Sequence, residues 1–173
     1  MRPNHTSDLD DFRAAKDDFF AHDYQSPLTR DQKRTFEGLH YFPEDPALNL
    51  EVQVEPFAAP DEIEMQTSTG EVQAYTRYGH FQFTVDGQLA ELTVYESDGG
   101  YFLPFVDGLA PKETYGAGRY LEPEPLGSDR FAVDFNLAYN PYCAYNERWS
   151  CPLTPFENHL KEPIRAGEKN FHE

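Results

Sequence analysis

The sequence predicts a mainly β protein, either an antiparallel β-barrel or a β-sandwich, with an N-terminal helical segment and a long C-terminal loop. Apolar and polar residues alternate along several short stretches between residues 46 and 136, as expected of strands with one buried face. Short turns separate these stretches, and the lack of helical patterns between them disfavours a parallel α/β fold. Helical patterns are confined to the first 45 residues.

Two helices are expected in that N-terminal segment. Ser7 is the predicted N-cap of the first helix, because acidic residues follow it at the positive helix end. Leu9 and Phe12 fall near one face of this helix, which should pack on the rest of the protein through its phenylalanines. The sequence Thr-Arg-Asp-Gln at residues 29–32 is a capping-box pattern, and it opens a shorter helix that ends near Gly38.

The predicted strands follow after residue 46. The alternating stretches are residues 48–54, 63–67, 81–85, 89–94 and 131–135. Between the third and the fourth stretch, Asp86 and Gly87 favour the positive φ angles of a tight turn, so these two stretches should form a hairpin. Residues 101–105 are a further short strand, in which Pro104 indicates a sheet edge or a bulge.

The chain has the length of one domain, and we expect residues 1–173 to form it. It divides into a helical N-terminal segment (1–45), an antiparallel sheet (46–136) and a covering loop (137–173). Prolines interrupt any long helix or strand in the last part, namely Pro141, Pro152, Pro155 and Pro163. With 14 Phe and 11 Tyr residues, the chain has enough large apolar side chains for a core.

The chain is strongly acidic, with 31 acidic against 14 basic residues and a formal net charge of −17. Nucleic acids and anionic membranes are disfavoured as partners, because binding to phosphates depends on clustered Lys and Arg. The N-terminus lacks the apolar core of a signal peptide, and no stretch approaches the roughly 20 apolar residues of a membrane helix, so we expect a cytoplasmic protein. The acid excess also fits a surface adapted to high salt. The oligomeric state stays open.

Polar and aromatic residues concentrate between residues 113 and 158. The Gly-Ala-Gly sequence at 116–118 would let backbone N–H groups approach a ligand, and the Arg119 guanidinium suits a carboxylate or a phosphate. The alternative is that the glycines shape a bulge and that Arg119 pairs with a buried acid such as Asp134 or Glu157.

The leading functional hypothesis is therefore a pocket for a small molecule, with an anion as one candidate. The residues expected to line this pocket are Tyr115, Arg119, Tyr120, Asp134, Asn136, Tyr139, Asn140 and Tyr145. The alternative for the Asp and Asn residues is that they bind turn backbone and hold the proline-rich loop. We expect neither a cofactor nor a metal.

Two further functional classes stay open, and whether the protein is an enzyme is undecided. In the first class, Asp134 and Glu157 act as the acid–base pair of a hydrolase, with Arg119 steadying negative charge. This requires carboxylates roughly 5 to 10 Å apart in a cleft, one of them with a raised pKa. In the second class, the polar cluster only fixes the loop of a structural or partner-binding module.

The two cysteines, Cys143 and Cys151, lie eight positions apart. Structural zinc sites use four ligands in close pairs, and no second pair accompanies these cysteines. Free thiols are favoured over a local disulfide in a reducing cytosol. Nothing in the sequence marks either thiol as activated.

Seven short motifs in the C-terminal part carry a resemblance to a known family. They are Gly-Arg-Tyr-Leu at 118–121, Asp-Phe-Asn at 134–136, Ala-Tyr-Asn-Pro at 138–141, Cys-Ala at 143–144, Cys-Pro at 151–152, Glu-Asn at 157–158 and Ala-Gly-Glu-Lys at 166–169. In these motifs the chain resembles the bacterial and archaeal family called domain of unknown function 1684. The resemblance spans nearly the whole chain, including residues 36–42 and 103–107. It implies membership of the family and no particular activity.

Overall fold

The computed structural model describes residues 8–172, and it begins with two helices. Helix α1 spans Asp8–His22 and helix α2 spans Arg30–Thr35. The capping box is confirmed, because the Thr29 hydroxyl accepts from the Gln32 N–H at 3.1 Å and the Gln32 side chain accepts from the Thr29 N–H at 2.9 Å. The predicted N-cap Ser7 lies outside the described residues. No helix among residues 8–172 is long and apolar enough to cross a bilayer.

Nine strands follow in the described part of the chain. They are β1 (Asn49–Gln53), β2 (Glu55–Pro56), β3 (Glu62–Gln66), β4 (Val72–Val85), β5 (Gln88–Ser97), β6 (Gly100–Phe105), β7 (Arg119–Leu121), β8 (Glu124–Gly127) and β9 (Arg130–Asp134). One sheet has three strands in the order β1–β9–β8, and the other has six, in the order β2–β4–β5–β6–β7 with β3 also on β4. Every pairing between strands is antiparallel. The predicted mainly β fold is confirmed as a sandwich-like arrangement rather than a closed barrel.

The core lies between the two sheets. Phe81, Phe83 and Leu92 from the six-stranded sheet and Phe131 and Val133 from the three-stranded sheet belong to one buried cluster. These residues occupy the alternate positions that the sequence predicts to be buried, since side chains along a strand point to opposite faces. The predicted hairpin is confirmed, because Val85 pairs with Gln88 across a turn in which Asp86 and Gly87 have φ angles of 50° and 75°.

A glycine permits the close crossing between the sheets. The chain passes from β1 in one sheet to β2 in the other through Val54, and β4 is irregular between Arg77 and Gly79 at this point. A Cβ atom at Gly79 would lie 2.6 Å from the Glu55 carbonyl oxygen, closer than van der Waals contact allows. Glycine is therefore required here by the approach of two backbones.

The first helix packs through part of its predicted face. Phe20 is 2% exposed, and its ring meets that of Tyr145 edge-on at 5.1 Å, whereas Phe12 is 48% exposed. Phe20 and Tyr145 belong to a second, smaller cluster of buried residues, together with Leu28 and Leu39. The N-terminal segment therefore packs against the C-terminal part of the chain.

After β9 the chain runs as a long loop with three single-turn 3₁₀ helices, at Phe135–Leu137, Tyr142–Ala144 and Phe156–Asn158. We call residues 137–172 the C-terminal segment. It forms isolated bridges from Pro152 to Thr67 and from His159 to Val106, and then enters the core with Ile164 and Ala166. The predicted strand at 131–135 ends one residue early, because Phe135 begins a 3₁₀ turn.

Pro104 does not mark a sheet edge, since β6 lies between β5 and β7. A proline lacks the N–H that a central strand normally donates, and here the Asn158 side chain fills the gap between β5 and β6. Its Oδ1 accepts from the Thr93 N–H at 2.8 Å, and its Nδ2 donates to the carbonyls of Thr93 and Pro104, each at 2.8 Å. One carboxamide thus takes the place of missing backbone pairing in the sheet.

Candidate functional site

Arg119 is held by the protein itself. Its side chain is 1% exposed, and its guanidinium donates to the carbonyls of Ala166 at 2.5 Å and of Ile164 and Glu168, each at 3.0 Å. Arg119 Nη2 lies 3.7 Å from Asp107 Oδ1, so the acidic partner of Arg119 is Asp107 and neither of the two acids expected from the sequence, Asp134 and Glu157. Burial lowers the pKa of Arg119 to about 10, so it is still cationic at neutral pH. The structure therefore uses Arg119 to anchor the C-terminal segment.

The glycine motif before Arg119 also packs on its own chain. Gly118 has a φ angle of +106°, and a Cβ atom there would lie 2.7 Å from the Phe105 carbonyl oxygen. Its N–H donates to the Tyr115 carbonyl at 3.0 Å. The close approach that Gly118 allows is therefore an approach to β6.

Asp134 and Asn136 bind neighbouring backbone. Asp134 Oδ1 accepts from the Asn136 N–H at 3.0 Å, which caps the 3₁₀ turn after β9. Asn136 in turn accepts from the Asp45 N–H at 2.8 Å and donates to the Asp45 carbonyl at 2.9 Å. Asp134 lines a cavity of about 560 Å³ beside helix α1, and Arg119 is not part of its lining.

The Tyr145 side chain and the Asn140 backbone both contact a buried acid, Glu168, and the Asn140 N–H donates to Glu168 Oε1 at 3.3 Å. The Tyr145 hydroxyl donates to Glu168 Oε1 at 2.7 Å, and the Asn140 side chain donates to the Lys169 carbonyl at 3.0 Å. Lys16 of helix α1 pairs with the same carboxylate, which is 2% exposed. These contacts join the first helix to the C-terminal segment and engage the Tyr145 hydroxyl and the Asn140 Nδ2 within the protein.

Glu157 is an ionised partner of Arg77. The Arg77 guanidinium donates to it at 2.7 Å and 3.0 Å, and the Tyr95 hydroxyl donates to it as well. Burial acts to raise the pKa of Glu157, but these hydrogen bonds outweigh it and lower the pKa below its ordinary value. Glu157 does not line the cavity of Asp134. The structure therefore does not place the two carboxylates as the acid–base hypothesis requires.

Tyr120 and Tyr139 are the two predicted residues that line a common cavity. This cavity of about 280 Å³, which we call the aromatic groove, lies over the strand ends of the six-stranded sheet. Its lining consists of Gln73, Tyr75, Ser97, Gly99, Gly100, Tyr101, Phe102, Tyr120, Glu122, Tyr139 and Pro152. The ring of Tyr120 meets those of Phe102 and Tyr139 edge-on, with centroid distances of 4.8 Å and 5.9 Å.

The aromatic groove is acidic. The Tyr139 hydroxyl donates to the Glu122 carboxylate at one end. Burial raises the pKa of Tyr139 and this hydrogen bond raises it further, so Tyr139 is a neutral donor. An adjoining cavity of about 380 Å³ shares Tyr75 with the groove, and its lining adds the carboxylates of Glu62, Glu96 and Asp98. Among the described residues that line the two cavities, none is basic.

The sequence-based set omits most of the residues that line the groove, among them Tyr75, Phe102 and Glu122. Phe102 alternates with the buried Leu103 along β6, so its outward position follows from the strand pattern. The stacking of Phe102 on Tyr75, with ring centroids 5.3 Å apart, depends on how β4, β5 and β6 line up. No local pattern carries that information.

The two cysteines meet beside Tyr115. Both are free, Cys143 being partly exposed and Cys151 buried. The Cys143 N–H donates to Cys151 Sγ at 3.2 Å, and the Tyr115 hydroxyl donates to Cys143 Sγ at 3.7 Å. Residues 8–172 contain no cluster of three or more His, Cys, Asp or Glu side chains able to hold a metal ion.

Comparisons with known proteins found a family model and a similar solved structure. No curated protein matches the chain. The solution NMR structure of an uncharacterized protein of Haloarcula marismortui is 35% identical in sequence and has a TM-score of 0.71, and the match covers 95% of this chain and 94% of that chain. The family model described as "Protein of unknown function (DUF1684)" matches residues 34–169. The chain therefore belongs to the DUF1684 family of proteins of unknown function.

Proposed function

We propose that the protein binds a small organic molecule in the aromatic groove, and that this ligand carries a cationic group. The observation that carries the proposal is the set of aromatic side chains around Glu122 with no basic side chain among the described lining residues. Pockets for small molecules combine apolar and aromatic walls with a few polar groups that fix the ligand's orientation. The aromatic groove has this composition.

The charge of the groove selects the kind of ligand. An anion would approach Glu122 and the carboxylates of the adjoining cavity, while Arg119 is engaged with three carbonyls behind the sheet. A cation instead gains from Glu122 and from the Tyr rings other than Tyr139, whose ring already has the Lys16 ammonium 5.1 Å from its centroid. A cation–π contact contributes about 0.5 to 2 kcal/mol. With a net charge of −17, the whole surface attracts cations as well.

The shape of the groove limits the ligand's size. The rings of Tyr120 and Tyr139 stand at 88° to each other and form a corner, and Phe102 extends one wall of it. A volume of about 280 Å³ lies near the lower end of ligand cavities, which hold roughly 300 to 1,000 Å³. The ligand is therefore a molecule with about one ring and one charged group.

The proposal is tested by titration with phenyltrimethylammonium, with tert-butylbenzyl alcohol as an uncharged analogue and benzoate as an anion. We expect saturable shifts of the groove tyrosines in NMR spectra for the cation, and roughly ten-fold weaker binding of the uncharged analogue. Glu122→Gln should reduce this preference for the cation, because the carboxylate is lost while the aromatic rings remain. Glu124→Gln, a matched change at an exposed carboxylate outside the groove lining, should retain it.

Two results would contradict the proposal. One is equal affinity for benzoate and phenyltrimethylammonium. The other is a preference for the cation that Glu122→Gln and Glu124→Gln change to the same extent, since the attraction would then come from the surface charge as a whole.

Several polar residues between 113 and 158 support a second, structural role. Arg119, Asn136, Asn140 and Tyr145 all contact backbone or side chains of distant segments and are buried. We infer that Arg119, Asn140 and Tyr145 hold the C-terminal segment in place, and that Asn136 holds the turn after β9 against Asp45. This is the role that the alternative of a loop-fixing cluster expects. This role accompanies the aromatic groove, because the anchored segment supplies Tyr139 and Pro152 to it.

A further inference from the structure

We propose that Cys143 and Cys151 form a reactive dithiol that undergoes thiol–disulfide exchange with small disulfides, with Cys143 as the attacking thiol and Cys151 as the resolving one. This inference does not depend on the aromatic groove binding a ligand.

The fold brings the two cysteines together from separate parts of the C-terminal segment. Cys143 lies in the 3₁₀ turn Tyr142–Ala144, and Cys151 lies just before the bridge between Pro152 and Thr67. The Cys143 N–H donates to Cys151 Sγ at 3.2 Å, so the sulfur of Cys151 lies against the backbone of Cys143. A disulfide would therefore join two residues that are already in contact.

The exposure of the two cysteines assigns their roles. Cys143 is partly exposed and can be approached by a small disulfide, whereas Cys151 is 6% exposed. A buried thiol reacts poorly with reagents from solution but can attack a mixed disulfide formed at its neighbour.

Hydrogen bonds favour the thiolate at the exposed position. The Cys151 thiol and the Tyr115 hydroxyl donate to Cys143 and lower its pKa below the ordinary range, against the effect of burial. The same contact and burial raise the pKa of Cys151. Tyr120 is a further titratable group close to both sulfurs, and burial holds it in the neutral form. Of the two cysteines, Cys143 is thus the thiolate that can act as a nucleophile.

The exchange balances without any further reagent. The Cys143 thiolate attacks one sulfur of a small disulfide, forming a mixed disulfide and releasing one small thiolate. Cys151 then loses its proton to solvent and attacks Cys143 Sγ, releasing the second small thiolate. The two protein thiols are oxidised to one disulfide, and the small disulfide is reduced to two thiols.

The test is incubation of the full chain with oxidised glutathione, followed by alkylation of the remaining thiols in denaturant and mass spectrometry. We expect the wild-type protein to lose both thiols together and to retain no glutathione. Cys151→Ser should accumulate one glutathione on Cys143. Cys143→Ser should take up glutathione at least ~10-fold more slowly, because Cys151 is buried.

The role of Tyr115 as a positioning residue has a separate readout. In the Cys151→Ser background, Tyr115→Phe should move the pH profile of Cys143 alkylation to higher pH, because one donor to the thiolate is lost. An unchanged profile would remove Tyr115 from the proposal.

Two outcomes would overturn the proposal as a whole. In the first, the folded wild-type protein keeps two alkylatable thiols in excess oxidised glutathione, while the same chain in denaturant is oxidised. In the second, Cys143→Ser and Cys151→Ser take up glutathione at equal rates, which would exclude the assigned division of roles.

Discussion

Asn158 offers the sharpest test of how the sheet is held together. Its side chain is 0% exposed and makes three hydrogen bonds of 2.8 Å to the backbone of Thr93 and Pro104. Asn158→Ala removes all three, and no other N–H can replace them at Pro104. The change therefore leaves one N–H and two carbonyls unpaired between β5 and β6.

The expected cost follows from the number of these groups. A buried polar group left without a partner costs about 1 to 3 kcal/mol, and some relaxation toward water reduces the total. We expect Asn158→Ala to lower the free energy of unfolding by about 3 to 5 kcal/mol, a large part of the ~5 to 15 kcal/mol typical of domains. For a chain of this length the midpoint of thermal unfolding should fall by roughly 10 °C.

The assay is thermal and urea unfolding followed by circular dichroism. A single transition is expected, in keeping with the prediction that residues 1–173 form one domain. Asn170→Ala is the matched control, because the Asn170 side chain makes only exposed hydrogen bonds, to the carbonyls of Pro111 and Lys112. If the two variants unfolded at the same temperature, the reasoning about Pro104 and its missing N–H would be refuted.

Three further predictions concern charged groups. Arg119→Met leaves Asp107 without its cation and frees three carbonyls, so it should lower the free energy of unfolding by about 3 to 5 kcal/mol; a urea midpoint equal to wild type would contradict this. The pKa of Glu157 lies below its ordinary value of 4.5 in the folded protein, so its stabilising effect is complete above that value and is lost as the pH falls through the folded pKa. Glu157→Gln should therefore lower the free energy of unfolding by about 1 kcal/mol near neutral pH and by less in acid, as measured by urea unfolding at both pH values. An equal loss at both pH values would exclude the Arg77 contact as its source. Raising KCl to molar concentration should increase the unfolding temperature, because salt screens the repulsion within a chain of net charge −17. An unchanged or lower unfolding temperature would count against a surface adapted to high salt.

The strands that the sequence predicts best are those with one buried and one solvent-exposed face. Residues 81–85 alternate, and the turn pair that follows them has a local backbone preference, so the hairpin can be predicted from the sequence alone. Strand β4 begins earlier than predicted, at Val72, since its first part lies largely exposed on both faces and shows no alternation. The sequence does not predict the short strand β7, because all three of its residues are buried and no alternation of polar and apolar residues marks it.

The candidate site was predicted less completely than the fold. The concentration of Tyr, Asn and Arg residues between 113 and 158 is visible in the sequence, and Tyr120 and Tyr139 do line a cavity. The direction in which each side chain points was the missing information. Arg119 and Tyr120 are neighbours in β7, and they point to opposite faces of the sheet, one to the core and the other to the groove.

The sequence by itself determined the class of fold, the confirmed capping box and hairpin, and the family, because alternation, turn residues and short motifs are local properties of the chain. Only the tertiary structure decided what Arg119 binds, that the Asn158 side chain bridges β5 and β6 at Pro104, and that Cys143 contacts Cys151. The partners of Arg119 and Asn158 are mostly backbone groups, which every residue carries and which leave no mark in a sequence. Their identity depends on which segment folds over which strand.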